Sequence, residues 1–379
     1  MFDQTKDDFT GTQSLFIEND NGLQINWITK NKDVGVYELK DSNDRLLFKG
    51  ETSENQVHKV QISDLKKEDF TLTFGGKNEG LHEIRIRPNP DLEPSVFKRV
   101  DSVYVLGDIH GRYTLLNDLL QKAKVIDQKN HWIAGSAHLV FLGDLFDRGD
   151  EVTKLLWFIY ELEDQAKKAG GKVHLVLGNH EIMSMTGDLR YVSKKENIIA
   201  SVYRKKYDEL FHPKKSVLGK WLVSKPSVIK INKNIFAHGG IIDLGTPSIE
   251  DYNKSVHTQM QDPIFLELLN ETPDSSKYDP KKWYEMQNFF YNQQGPYWFR
   301  GYVLSDTLGD VLNTMLKKYN SDIHVVAHTT VPTIRTGYEG KLIATDLDEA
   351  ATEVLLMIQE KKNLQKFKIN LQGEQIEIE

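Results

Sequence analysis

Five times along this chain a short apolar run stops at a residue type that binds metal ions. Residues 103–106 lead into Gly107-Asp108, residues 138–142 into Gly143-Asp144, and residues 173–177 into Gly178-Asn179. Further on, 229–236 leads to Ala237-His238 and 323–327 to His328. Short apolar runs bounded by turn-formers read as buried strands. Helical patterns separate the first three, at 114–125 and at 151–169, the second stopped by Gly170-Gly171. Strands alternating with helices argue an α/β fold built on buried sheets. Such folds place their sites in the loops at the carboxyl ends of strands. The five stops therefore predict both the fold class and where its chemistry lies. Glycines flank the candidate ligands because the turns must be tight and the backbones must approach closely.

The chain has no cysteine, which excludes disulfides, thiolate metal sites and thiol catalysis. The candidate ligands are Asp108, His110, Asp144, Asn179, His238 and His328. Nitrogen and oxygen donors in this mixture suit Mn, Fe or Zn better than Ca or Mg. Two such cations, about 3.5–4 Å apart, clamp a phosphate and activate a bridging water near neutral pH. One carboxylate must bridge them, and Asp144, in the middle block, is the candidate. His180 adjoins Asn179 and cannot easily reach the same metal, so it is free to protonate a leaving oxygen. Asp147 is placed to accept from its ring N–H. Arg148 offers a planar fork for phosphate oxygens, and Arg300, inside the aromatic stretch 296–302, a second. The other eight histidines read as ordinary, with His174 and His324 packed inside strand runs.

Residues 13–88 follow another rhythm. Period-two segments recur at 23–27, 34–39, 60–62, 70–74 and 84–86, separated by turn-formers such as Asn21-Gly22 and Gly75-Gly76. This spacing predicts a small antiparallel β-sandwich. Pro88, Pro90 and Pro94 punctuate a linker after it, so two domains are expected, 1–95 and 96–379. The N-terminal one is expected to have a structural or binding role. A formal charge of −7 gives no reason to expect a nucleic-acid partner. No stretch approaches the roughly 20 apolar residues of a membrane span. The longest apolar run, 155–160, reads as a buried helix face, and the first residues lack the basic and apolar regions of a signal peptide.

The blocks Gly107-Asp-Ile-His-Gly111, Gly143-Asp-Leu-Phe-Asp-Arg-Gly149, Gly178-Asn-His-Glu181 and His238-Gly-Gly240 stand in the order found in the phosphoprotein phosphatase family of calcineurin-like metallophosphoesterases. The resemblance covers about residues 100 to 350. It implies a β-sandwich flanked by helices in four layers (αββα), with the N-terminal all-β sandwich as an addition. A finer match, Gly178 through Gly187-Asp-Leu-Arg-Tyr-Val192, resembles the Shewanella-like branch. That branch favours phosphotyrosine, and a bacterial member carries an extra N-terminal β domain.

The resemblance implies that Asp108 and His110 share one metal with Asp144, and that Asn179, His238 and His328 share the other. It makes His180 and Asp147 the acid pair, and Arg148, Arg300 and Arg190 the phosphate or substrate contacts. The implied activity is hydrolysis of phosphomonoesters on protein or peptide, by direct attack of a metal-bridging hydroxide and without a phosphoenzyme. The implied setting is a bacterial cytoplasm or periplasm, with export open if a leader was removed. A dinucleoside polyphosphate hydrolase is the nearest alternative, and a catalytically inactive binding module is one of another class. Residues 329–334 depart from the eukaryotic pattern, and the regulator-binding C-terminal segment of those enzymes has no counterpart here.

Overall fold

In the computed structural model the described residues are 11–379, apart from 21, 64, 66, 67, 270–275, 348–350 and 362. The N-terminal region is an antiparallel sheet of five strands: β1 Phe16–Asp20, β2 Gly22–Asp41, β3 Leu46–Ile62, β4 Phe70–Gly76 and β5 Leu81–Ile86. The two alternating segments read at 23–27 and 34–39 are halves of the single long strand β2. Its first half pairs with β1, its second half with β4, and β3 follows both. The register with β3 slips between Ile28 and Asp33, where the strand bends. The bend brings Trp27 of the first half against Phe74 of β4, with ring centroids 6.1 Å apart, and its indole N–H donates to the Gly75 carbonyl.

Two six-stranded sheets make up the rest. One has the order β17-β16-β15-β7-β8-β9, with β7 Ser102–Leu106, β8 His138–Phe141, β9 Lys172–Leu175, β15 Glu353–Glu360, β16 Asn363–Asn370 and β17 Gln375–Glu377. The other has the order β13-β14-β12-β11-β10-β6, with β6 Val96–Phe97, β10 Val228–Ile231, β11 Asn234–Ala237, β12 Ile323–Val326, β13 Arg335–Gly337 and β14 Leu342–Ala344. Strands β7, β8 and β9 run parallel, as do β11, β12 and β14, so each trio delivers its carboxyl ends to one side. The run read at 229–236 is a hairpin rather than one strand. It turns at Asn232, whose φ of 56° suits asparagine better than most residues.

Helices cover the sheets: α1 Tyr113–Lys122 and α2 Val152–Lys168 on the first, α6 Ile249–Met260 on the second. Between β9 and β12 the chain also forms α3 Asn179–Thr186, α4 Lys194–Val202 and α5 Val217–Val223, then α6, α7 Pro280–Tyr291 and α8 Gly301–Leu304. Helix α9, Gly309–Lys318, follows and leads into β12.

Helix α2 is more than a buried face. All six residues 155–160 are buried, and six residues span more than one full turn. A helix apolar all round must be covered on both sides. The first sheet covers one side and the N-terminal region the other. The Trp157 indole donates to the Leu15 carbonyl at 2.9 Å, and the Arg87 amide donates to the Tyr160 hydroxyl at 2.6 Å. The Arg87 guanidinium lies 4.1 Å above the Tyr160 ring and pairs with Glu163 at 3.0 Å. Most buried apolar residues of both regions form one continuous cluster, with Ile28 and Ile199 packed separately across the two.

Candidate active site

The carboxyl ends of β7, β8, β9, β11 and β12 converge, and the loops that follow them interlock. Gly143 has φ 90°, and a Cβ there would lie 2.4 Å from the Gly178 amide nitrogen, so no other residue fits. The Ile109 and His110 amides donate to the Asp144 carbonyl at 3.1 and 2.8 Å. Glu181, fully buried, accepts from the amides of Gly178, Asp144 and Leu145 at 2.7, 2.9 and 2.7 Å. Several non-glycine residues of these loops lie in the left-handed region: His110 (49°), Asp144 (52°), Asp147 (69°), Arg148 (62°) and His328 (63°). Each costs roughly 1–2 kcal/mol relative to ordinary backbone. Strain of this kind persists where neighbours over-determine it, as at a functional site.

All six candidate ligands are buried and brought together. The His238 Nδ1 hydrogen donates to the Leu142 carbonyl at 2.7 Å, which leaves Nε2 as a lone pair. Around that lone pair stand Asn179 Oδ1 at 2.8 Å, His328 Nδ1 at 3.1 Å and Asp144 Oδ2 at 3.3 Å. His110 is arranged likewise. Its Nδ1 faces the Phe146 carbonyl at 2.7 Å, and its Nε2 lies 3.7 Å from Asp108 Oδ2 and 3.9 Å from Asp144 Oδ2. His110 Nε2, left as a lone pair in the same way, is buried without any hydrogen-bond partner. Buried acceptors that face one another without donors are costly unless a cation lies between them. The donor set thus fits metal ions on both sides of Asp144. Its charge balance says the same. Burial would lower the affinity of His238 for a cation on Nε2, but the Asp144 and Asp108 carboxylates outweigh it: the field that draws a proton to that atom, raising the pKa to about 10, favours a metal ion in the same place. His328 is pushed down to about 2, mainly by burial, which keeps the ring neutral and its one lone pair available for coordination.

Two groups of donor atoms lie within 4.8 Å of one another: Asp144, His238 and His328, and His110, Asp144 and His180. The second contains His180 where the resemblance implied Asp108. His180 Nδ1 lies 2.5 Å from Asp147 Oδ2, so its Nε2 faces the centre, 3.8 Å from Asp144 Oδ2. Its backbone amide donates to Asp144 Oδ1 at 3.0 Å.

The three arginines are placed differently. Arg148 is exposed at the mouth, and among the described residues no side chain holds its guanidinium. Arg300 donates to the His328 carbonyl. Its loop is set by the amides of Gly239 and Gly240, which donate to Pro296 and Phe299 at 2.6 and 2.8 Å. Arg190 is not brought to the ligands. Its fork is filled by Asp188 at 2.8 and 2.7 Å, and its side chain is 70% exposed. His174 and His324 are fully buried in strands, the latter accepting from the Ile241 amide at 3.1 Å.

Sequence reasoning passed over two acidic residues. Glu181 is the anchor described above. Asp346 is buried beside Asp108, and its carboxyl is raised to about 8 by burial and by the Asp108 charge. It ends the run 342–345 as Asp108 and Asp144 end theirs, so the strand-end pattern could have found it.

A sheet pair with this strand-end cluster defines a metallophosphoesterase. Residues 102–332 match the calcineurin-like phosphoesterase family, and the chain belongs to it. The structure of the cold-active protein-tyrosine phosphatase of a psychrophilic Shewanella species is similar at TM-score 0.72 and 26% identity, covering 97% of this chain and 98% of that one. The likeness therefore extends through the N-terminal sheet. Shewanella-like protein phosphatase 1 of Plasmodium berghei is 26% identical over 279 residues, 69% of this chain and 72% of that protein. A symmetrical bis(5'-nucleosyl)-tetraphosphatase of Janthinobacterium is 28% identical over 173 residues, 45% of this chain and 55% of that protein. No helix among the described residues is long and apolar enough to cross a membrane.

Proposed function

We propose that this metal-dependent phosphatase hydrolyses phosphomonoesters on protein or peptide, with phosphotyrosine preferred. One observation carries the reading: a buried ring of lone pairs, with Asp144 at its centre, beside a histidine locked to a carboxylate. The residues placed to hold two metal ions, Mn, Fe or Zn by donor chemistry, are Asp108, His110 and Asp144 on one side and Asn179, His238, His328 and Asp144 on the other. Bound there, such ions polarise phosphoryl oxygens and make water nucleophilic near neutral pH. Asp147 accepts the Nδ1 hydrogen and stabilises the imidazolium form of His180, whose Nε2 hydrogen, on the face turned to substrate, passes to the leaving oxygen. Arg148 and Arg300 supply charge-assisted hydrogen bonds to the remaining oxygens. Likeness to a tyrosine phosphatase over nearly the whole chain supports the aryl preference.

The test is a kinetic panel on the metal-reconstituted chain: phosphotyrosine, phosphoserine and phosphothreonine peptides alongside diadenosine tetraphosphate. Phosphotyrosine is expected to give the highest kcat/KM. Faster cleavage of the dinucleotide would transfer the assignment to the tetraphosphatase reading.

We also propose that the boundary near residue 95 is one of topology and not of stability. Removing residues 1–95 uncovers Trp157 and Tyr160, at about 1.5–3 kcal/mol for each large side chain. It also strips Glu163 of Arg87 and Glu196 of Gln13. Those losses approach the whole stability of an ordinary domain, about 5–15 kcal/mol. The fragment 96–379 is therefore expected to be insoluble or molten. Recovery of a cooperatively folding, active fragment would refute the proposal.

A further inference from the structure

We propose that Tyr191 is the surface against which the substrate's leaving group packs, and that it sets the preference for aryl over alkyl phosphates. The inference rests on the reading of His180 as the acid. Tyr191 is 48% exposed, yet its ring lies 5.6 Å from the His180 ring at a tilt of 54°. It is held there by a built support. Its carbonyl accepts from the Arg148 amide at 2.9 Å, which ties its loop to the phosphate-facing turn. The Arg190 guanidinium sits 5.4 Å from the ring centre, and Asp188 fixes that guanidinium with two hydrogen bonds. The sequence Asp188-Leu189-Arg190-Tyr191 thus works as a unit: the acid pins the arginine, and the arginine steadies the ring.

The chemistry of the site gives the ring its partner. His180 Nδ1 is taken by Asp147, so Nε2 alone can protonate the leaving oxygen. Whatever is bonded to that oxygen must leave the centre on the His180 side, where Tyr191 presents an exposed aromatic ring. Trp298 stands by His328 instead, with ring centroids 5.9 Å apart, and its indole N–H donates to the Phe290 carbonyl. A phenolic leaving group presents a ring that can meet Tyr191 at the 4.5–7 Å centroid separation that aromatic pairs favour. The short chain of a serine or threonine has no face to offer.

The experiment compares the metal-reconstituted full chain with Tyr191→Ala and Tyr191→Phe. It reads kcat/KM for phenyl phosphate and phosphoserine, and inhibition constants for phenylphosphonate and methylphosphonate, which measure binding without turnover. In Tyr191→Ala the aryl-to-alkyl ratio is expected to fall about 3–10-fold, the size of a lost aromatic pair, chiefly through KM. Phenylphosphonate should weaken by a similar factor and methylphosphonate by much less. Tyr191→Phe should keep the wild-type ratio, since the ring face and not the hydroxyl makes the contact. An unchanged ratio in Tyr191→Ala overturns the inference, as does an equal loss in Tyr191→Phe. A wild-type chain that hydrolyses neither ester overturns instead the reading of the site on which the inference rests.

Discussion

Asp144→Asn is expected to empty the centre of metal and to lower kcat/KM by about 10³-fold or more. Asp144 is 1% exposed, and its Oδ2 faces the Nε2 atoms of His238, His110 and His180 at 3.3, 3.9 and 3.8 Å. It is the carboxylate common to both donor groups. Asparagine is nearly isosteric and can still accept the His180 amide through Oδ1. It removes the bridging charge, however, and turns an amide toward atoms arranged to meet a cation. Each 1.36 kcal/mol lost from transition-state stabilisation is a factor of about ten, and polarisation by a metal is worth several kcal/mol. Elemental analysis after reconstitution and dialysis, together with turnover of p-nitrophenyl phosphate, makes the check. A variant that keeps its full metal complement and its activity would falsify the role given to Asp144.

His180→Asn should behave in the opposite way toward metal. Metal content is expected to stay at the wild-type level, while kcat on alkyl phosphates falls by roughly 10²–10⁴-fold. On p-nitrophenyl phosphate the loss should be much smaller, because that leaving group needs little protonation. The comparison also decides between the two parts that the geometry allows His180. Its Nε2 stands as close to Asp144 as the Nε2 of His110 does, 3.8 against 3.9 Å. If His180→Asn loses metal, His180 is a ligand. If the losses on alkyl and aryl esters are equal, it is not the acid.

Much of this centre is legible in one dimension because its parts are local. A ligand that directly follows a buried strand is carried to the strand's carboxyl end by the strand, whatever else the chain does. The candidate ligands Asp108, Asp144, Asn179, His238 and His328 all stand at strand ends in this way, and the buried acid Asp346 follows a strand too but lacks a glycine or a second motif residue beside it to mark it. His180 and Asp147 were legible because each lies within a turn of a ligand. Arg190 shows the converse. An arginine inside a motif carries no mark of where its fork points, and a carboxylate two residues away takes it first. Tyr191 looked like part of the same motif, and only the packing of its loop against residue 148 brings its ring to His180.

The N-terminal region divides along the same line. Its alternation and its turn residues announced an antiparallel β structure, since strand patterning depends on nearest neighbours. Nothing local announced that it would close over α2, because that contact joins residues such as Leu15 and Trp157 that lie far apart in the chain. The apolar run 155–160 held a clue, being too long for a single face, but a run cannot say what will cover its second side. From the amino-acid order alone come the order of the strands' ligands, the donor chemistry and hence the class of reaction. Which lone pairs face one another, which arginine is free and which aromatic stands at the mouth depend on contacts between distant segments. Those contacts exist only once burial of the shared core has brought the segments together.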